Sequence, residues 1–234
     1  MVCFSILFSL LILLMNKGDL NSYNEYFIFL YGYLDLWNIE NIFSLLFWLM
    51  PQLFLLSIYG NFIENNLLSN SSIIFTRTNK KEKCMLCYLA YLLGQVIVFN
   101  IVMNISHLII YYIFFHSVPI NLETFQYAIT VLLWESMILV LANILSLIMK
   151  SSVAFLSVII LQCIMISFVS ICIVNKLRII RYIPISCILF CLSKAGVPWH
   201  FSPAIRYLLL LAIIESICGL ILLKYHEFIN ERKV

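Results

Sequence analysis

Long apolar runs without charge alternate along this chain with short polar stretches. Three of these runs contain no Asp, Glu, Lys or Arg at all: residues 41–63, 84–122 and 151–175. A helix needs about 20 apolar residues to cross the hydrocarbon core of a bilayer. Because a soluble core does not require such uninterrupted apolar length, the pattern predicts a polytopic membrane protein of the all-α class.

Six transmembrane helices are predicted, in a single transmembrane domain that covers residues 1–234. They span approximately residues 2–15, 42–59, 85–115, 125–149, 153–174 and 204–223. The first has no basic residue before it, which argues against a secretory signal, and its short length leaves its N-terminal boundary open. Between spans five and six, residues 182–192 are apolar but too short to cross a bilayer. They predict short re-entrant outer helices.

Basic residues determine the predicted orientation, because Lys and Arg are enriched in the cytoplasmic loops of membrane proteins. The densest basic group lies between spans two and three, so we place that loop and both termini in the cytoplasm. Eight basic residues then lie inside and six outside. The outer residues argue against this orientation: Lys17, Lys176, Arg178, Arg181, Lys194 and Arg206.

Residues 16–41 mix acidic residues and Asn with many aromatic rings. Amphipathic aromatic rings favour the headgroup level of a membrane. We therefore expect five aromatic side chains of this segment to lie at the headgroups: Tyr23, Tyr26, Tyr31, Tyr33 and Trp37.

Composition excludes several classes of function. Hydrophobic residues make up 64% of the 234 positions and charged residues 11%, with a mean hydropathy of +1.05. A soluble domain has about 25% charged residues, so we predict no separate catalytic or nucleotide-binding domain. The basic residues flank apolar helices, and nucleic-acid binding is not predicted.

Motifs for enzyme chemistry are missing from the sequence. It contains no HExxH, no GxSxG and no GxxxxGK[ST] phosphate-binding loop. Cys84 and Cys87 form a CxxC motif without a second ligand pair nearby, and most other cysteines lie in apolar runs as small hydrophobic residues. Whether any cysteines pair stays open. We expect no enzymatic activity, no metal site and no cofactor bound by this chain.

Polar residues inside the predicted spans are candidates for a translocation path. Asn100, Asn104 and His107 are spaced i, i+4 and i+7, which places them on one helix face. Glu135 and Glu215 lie in spans four and six, with Glu135 expected near the outer third of its helix, where water is close. Ionisable groups in membrane helices usually face protein or a water-filled path. Polar contacts that simply join helices explain the same residues, and both interpretations stay open.

The loop between spans two and three carries an apolar patch beside its basic residues. Ile73, Ile74 and Phe75 stand directly before Arg77. Exposed apolar patches often mark interaction sites, and interfacial anchors have the same composition. This patch therefore predicts docking, on either a cytoplasmic partner or the lipid surface.

Tyr59-Gly60 followed by residues 73–78 (IIFTRT), together with the six-span layout, resembles the membrane subunit of type-2 ABC exporters. The similarity is to small bacterial permeases found beside genes for peptide or bacteriocin export and immunity. It implies a permease in the bacterial cell membrane that pairs with itself or with a second permease chain. It also implies a separate ATPase subunit that binds ATP and Mg and contacts Ile73, Ile74, Phe75 and Arg77.

The resemblance implies export of a peptide or hydrophobic compound. The substrate itself and the direction of transport stay open. The alternative function is a stand-alone membrane immunity or interaction protein, which would work without ATP.

Overall fold

A computed structural model describes residues 1–16, 26–27, 31, 42–66, 81–116, 122–189, 192 and 200–225. Within these residues the chain is helical and has no strand, which confirms the all-α class. The α-helices whose bounds fall within these residues are α1 (Val2–Asn16), α2 (Ile42–Tyr59), α3 (Lys81–Phe115), α4 (Leu122–Ser146), α5 (Ser151–Val174) and α6 (Phe201–Tyr225). Two short 3₁₀ helices, Arg178–Tyr182 and Pro184–Cys187, lie between α5 and α6.

Five of the described helices are long and apolar enough to cross a membrane: α3 to α6, and α2 together with its continuation through residue 66. The architecture is therefore that of a multi-pass membrane protein. At 15 residues, α1 is about 22 Å long at 1.5 Å per residue. That length is shorter than the hydrocarbon core of about 30 Å. The sixth span and the sides on which the termini lie stay predictions.

Some helix ends differ from the predicted spans. The α3 helix begins at Lys81 instead of residue 85, because charged residues can continue a helix beyond the hydrocarbon core. Its 35 residues extend about 52 Å. The α4 helix ends at Ser146 instead of residue 149, because the chain turns there and the Leu147 N–H donates to the Ile144 carbonyl at 3.2 Å.

Side-chain contacts show how α1 lies against α2 and α3. Phe4 of α1 stacks on Phe54 of α2 with ring centroids 4.1 Å apart, and it also lies near Phe99 of α3. Ser9 contacts His107, so α1 runs parallel to α3 and begins near the midpoint of α3. As a result, α1 covers only the half of the bundle that contains the C-terminal end of α3. We call this the Phe115 end, and the opposite end the Lys81 end.

The α4 helix is at the centre of the bundle. It contacts α2, α3, α5 and α6, and most of its apolar stretch is buried, whereas most of the apolar stretch of α6 is not. The outer helices expose large apolar side chains, among them Ile113, Ile164 and Ile213. Such a surface suits contact with lipid chains.

The end of α2 is stabilised by a side chain from α4. At Gly60 the chain turns, and a Cβ atom there would lie 2.4 Å from the Leu56 carbonyl oxygen. Helix ends leave backbone groups without intrahelical partners. Asn143 pairs two of them: its Oδ1 accepts from the Ile63 N–H at 2.9 Å, and its Nδ2 donates to the Tyr59 carbonyl at 2.8 Å. A helical turn then continues over residues 62–66.

Two of the aromatic residues expected at the headgroups are instead inside the bundle. Tyr26 is fully buried, Tyr31 is 6% exposed, and both pack between α1, α2 and α3. The Tyr26 hydroxyl donates to the Ser9 carbonyl at 3.0 Å. The headgroup prediction is wrong for both, because tertiary packing offers their rings more apolar contact than the surface does. Tyr23, Tyr33 and Trp37 lie outside the described residues.

The short helices expected between spans five and six are present as the two 3₁₀ helices. Ile180, Ile183 and Ile185 are buried against the bundle. Cys187 is also buried. Burial raises the pKa of this thiol to about 11, which keeps it protonated and unreactive at neutral pH.

Candidate functional site

Asn100 of α3 and Glu135 of α4 form a buried polar pair at the centre of the bundle. The Asn100 Nδ2 donates to Glu135 Oε2 at 2.6 Å, and each side chain is 3% exposed. Glu135 occupies the middle of the 25-residue α4, so its expected position near water in the outer third is wrong. A buried carboxyl without hydrogen bonds is costly, and the Asn100 amide lowers that cost.

Gln52 of α2 completes the surroundings of this pair. Gln52 and Glu135 line the same narrow gap, which is too small for a water molecule. The Trp134 Nε1 donates to Gln52 Oε1 at 3.3 Å. Polar groups from α2, α3 and α4 are therefore gathered in the interior around Glu135.

An open groove lies beside the pair, between α3 and α4 in the half of the bundle toward the Phe115 end. Its volume is about 380 Å³, within the range of small-ligand pockets. The walls are mainly apolar, and the polar residues on the groove are Asn100, Asn104 and Thr124. Because Asn100 lines the groove and also bonds Glu135, it joins the open surface to the buried carboxyl.

His107 belongs to a different cluster, against α1. Its Nδ1 contacts the Ser9 hydroxyl, and its Nε2 lies 3.0 Å from the Tyr31 hydroxyl. The His107 ring therefore has a polar neighbour at each nitrogen, and the Ser9 hydroxyl also donates to the Ser5 carbonyl. This cluster joins α1, α3 and Tyr31.

Glu215 lies at another interface, where α6 packs on α3 and α4. It is one helical turn from Gly219, where a Cβ would come within 3.2 Å of Ile144 and Met85. Its Oε2 is enclosed and accepts no hydrogen bond from the described part of the chain. The predicted translocation-path residues are therefore divided: the structure brings Asn100, Asn104 and Glu135 together and places His107 and Glu215 elsewhere.

The other predicted site residues, Ile73, Ile74, Phe75 and Arg77, lie outside the described residues. Within the described residues, no group of three His, Cys, Asp or Glu side chains is arranged to hold a metal ion. The groove and its polar pair are thus the candidate site that the structure provides.

Sequence reasoning missed several polar residues that the structure places at helix contacts: Ser9, Gln52 and Gln162. Each is a single polar residue within an apolar run, and that isolation is the signal that could have found them. In a membrane protein such residues usually face another helix. The sequence does not say which helix.

Replacing the buried Gln162 with an apolar residue is expected to stabilise the protein. Gln162 is fully buried on α5 beside Val158 and Ile166, and neither atom of its amide has a hydrogen-bond partner among the described residues. An unpaired buried amide costs about 1–3 kcal/mol. We therefore expect Gln162→Leu to raise the midpoint of thermal unfolding in detergent by about 2–6 °C.

The same change at Gln95 is the matched control. The Gln95 Oε1 accepts from the Tyr59 hydroxyl at 2.8 Å, so Gln95→Leu removes a real hydrogen bond and should lower the midpoint. A fall in the midpoint for Gln162→Leu would show that its amide has a partner that the packing of the described helices does not reveal.

No family model matches this chain, and neither does any curated protein or solved structure. The fold therefore defines the class, a multi-pass helical membrane protein with an open groove, one of whose lining residues, Asn100, hydrogen-bonds a buried carboxyl.

Proposed function

We propose that this chain is the membrane permease subunit of an ATP-driven transporter and that its groove between α3 and α4 receives a hydrophobic compound or peptide. The observation that carries the proposal is the continuity of the groove with the buried Asn100–Glu135 pair. An ionisable residue in a membrane helix costs free energy. Lipid chains would not require a carboxyl beside the groove, so the presence of Glu135 favours a ligand with a polar group.

The chemistry of the groove favours an amphiphilic substrate. Its apolar walls, including Ile101, Ile105 and Phe125, suit hydrocarbon or apolar side chains. The Glu135 carboxyl suits an amine or another hydrogen-bond donor. A charge-assisted hydrogen bond is roughly twice as strong as a neutral one, so a cationic group can displace the amide of Asn100 from the carboxyl. The substrate class is therefore a hydrophobic molecule or peptide with a cationic group.

The continuity of α3 supports coupling to a separate ATPase. The α3 helix begins at Lys81, directly after the loop with Phe75 and Arg77, and continues without interruption to Phe115. Asn100 lies 19 residues along this helix, about 28 Å from its start. Because a continuous helix moves as a unit, a displacement of the loop by an ATPase would reach the groove through α3. A second permease chain, identical or different, completes the transporter in this proposal.

Co-purification tests the ATPase partnership. The full chain is co-expressed with candidate ABC ATPases and isolated through a tag on this chain alone. We expect one ATPase to be retained, and we expect Phe75→Ala and Arg77→Ala to reduce its retention at least tenfold, because both changes lie in the proposed contact. Lys150→Ala, in the exposed turn between α4 and α5, is the control and should retain the ATPase.

The opposite result would identify the alternative function. If no ATPase is retained and the chain still protects cells from a toxin in the presence of an ATPase inhibitor, the protein is a stand-alone membrane immunity factor. The permease proposal would then be wrong.

A further inference from the structure

The connection between α5 and α6, at the Phe115 end, has a one-sided charge. Residues 175–214 contain no Asp or Glu, and five basic residues occur among them: Lys176, Arg178, Arg181, Lys194 and Arg206. Among the described residues at this end of the bundle, the acidic side chain is that of Glu123. The local excess of positive charge therefore favours an anionic partner.

The same connection exposes apolar side chains. Leu177, Ile179 and Tyr182 are 46%, 49% and 72% exposed, whereas Ile180 and Ile183 are buried. A 3₁₀ helix has three residues per turn, so Ile179 and Tyr182 lie along one edge and Ile180 and Ile183 along another. One edge anchors the segment in the bundle, and the other presents apolar groups outward.

Specific contacts hold this outward edge against the ends of α5 and α6. The Tyr207 hydroxyl of α6 donates to the Tyr182 carbonyl at 2.6 Å, and the Leu177 N–H donates to the Cys172 carbonyl of α5 at 2.8 Å. Arg206 precedes Tyr207 and is exposed. Its Nη2 and Nε donate to the hydroxyl and carbonyl of Ser202 at 2.9 and 3.2 Å. The basic and apolar groups are thus presented together at one end of the membrane-crossing helices.

We propose that this segment binds the phosphate headgroups of anionic phospholipids on the bilayer surface at the Phe115 end. Leu177, Ile179 and Tyr182 enter the interfacial layer, where amphipathic rings and apolar side chains are stable. Lys176 and Arg206 contact the lipid phosphates, which attract basic residues at membrane surfaces. Anionic lipid accounts for both the basic residues and the exposed apolar residues of the segment. Its phosphates supply negative charge, and its acyl chains supply apolar contact at the level where the helices end.

The proposal goes beyond transport and does not depend on an ATPase. It also accounts for the basic residues that weaken the predicted orientation. If anionic lipid neutralises them, they no longer oppose a location on the outer side.

Lipid-dependent stability tests the proposal. The full chain is reconstituted in nanodiscs of phosphatidylcholine alone or with about one third phosphatidylglycerol, and the midpoint of thermal unfolding is measured in each. We expect the anionic lipid to raise the midpoint of the parent chain by about 3–6 °C. We expect less than a third of that increase for Lys176→Gln/Arg206→Gln. High salt should reduce the increase, because salt screens exposed charges.

Two control variants separate the effect of the positive charges from an effect on folding. Lys83→Gln/Lys150→Gln removes two exposed cations at the Lys81 end and should keep the parent's increase. Lys176→Arg/Arg206→Lys preserves charge and should keep it as well, even if the Gln variant folds poorly.

Two results would overturn the proposal. One is an undiminished increase for Lys176→Gln/Arg206→Gln. The other is stabilisation of the parent by a soluble acidic peptide in phosphatidylcholine nanodiscs without any effect of the anionic lipid, which would make this segment a surface for peptide docking.

Discussion

Replacing Asn143 with alanine is expected to lower the free energy of unfolding by about 2–5 kcal/mol, because two buried backbone groups lose their partner. Asn143 pairs the Ile63 N–H and the Tyr59 carbonyl at the place where α2 turns at Gly60. Water is scarce in a membrane-embedded core, so neither group finds a ready substitute. The midpoint of thermal unfolding in detergent should fall by about 5–15 °C.

Two further variants show whether this effect comes from the hydrogen bonds. Asn143→Asp keeps an acceptor for the Ile63 N–H but loses the donor to Tyr59, so its midpoint should lie between those of the parent and Asn143→Ala. Ser167→Ala removes a hydroxyl that is exposed and bonds only the Cys163 carbonyl of its own helix, and it should change the midpoint by less than about 2 °C. A parent-like midpoint for Asn143→Ala would mean that α4 does not hold the turn at Gly60.

A second large effect is expected for transport. In cells that contain the chain and the ATPase proposed as its partner, Glu135→Gln should reduce the efflux of a hydrophobic cationic peptide at least tenfold. The glutamine carbonyl still accepts from Asn100 Nδ2, and the side-chain volume is nearly unchanged, so the bundle should fold normally. What is lost is the carboxyl that attracts the cation. Efflux of a fluorescent peptide, normalised to the amount of chain in the membrane, measures the change.

Three variants make this transport result specific. Glu123→Gln changes an exposed carboxyl in the first turn of the same helix and should leave efflux unchanged. Ala128→Trp fills the groove without altering the polar pair and should reduce efflux as strongly as Glu135→Gln. Glu135→Leu leaves the Asn100 amide without its acceptor and should lower the unfolding midpoint as well. Normal efflux in both Glu135→Gln and Ala128→Trp would exclude the groove as the substrate site.

Glu135 and His107 are both buried polar residues of the bundle, but their surroundings differ. His107 has both ring nitrogens engaged, by Ser9 and by Tyr31, and it has no place on the groove. It joins helices, as polar residues in membranes commonly do. Glu135 shares its partner Asn100 with an open surface, which is why transport is expected to depend on it.

The class of this protein follows from its amino-acid sequence alone. The thickness of a bilayer sets the length of the apolar helices that cross it, so runs such as residues 84–122 predicted α3 without any knowledge of packing. Helical periodicity also placed Asn100 and His107 on one face. The positions of the long helices were therefore predicted to within a few residues.

Which polar groups meet depends instead on how the helices pack. Periodicity identifies the face of a helix but not the helix that covers it, so the pairing of Asn100 with Glu135 and of His107 with Ser9 could not be read from spacing. Composition gave the wrong location for Tyr26 and Tyr31, because aromatic rings suit both the membrane surface and a protein core. Their burial depends on the cavity that α1, α2 and α3 form together, which no single segment specifies.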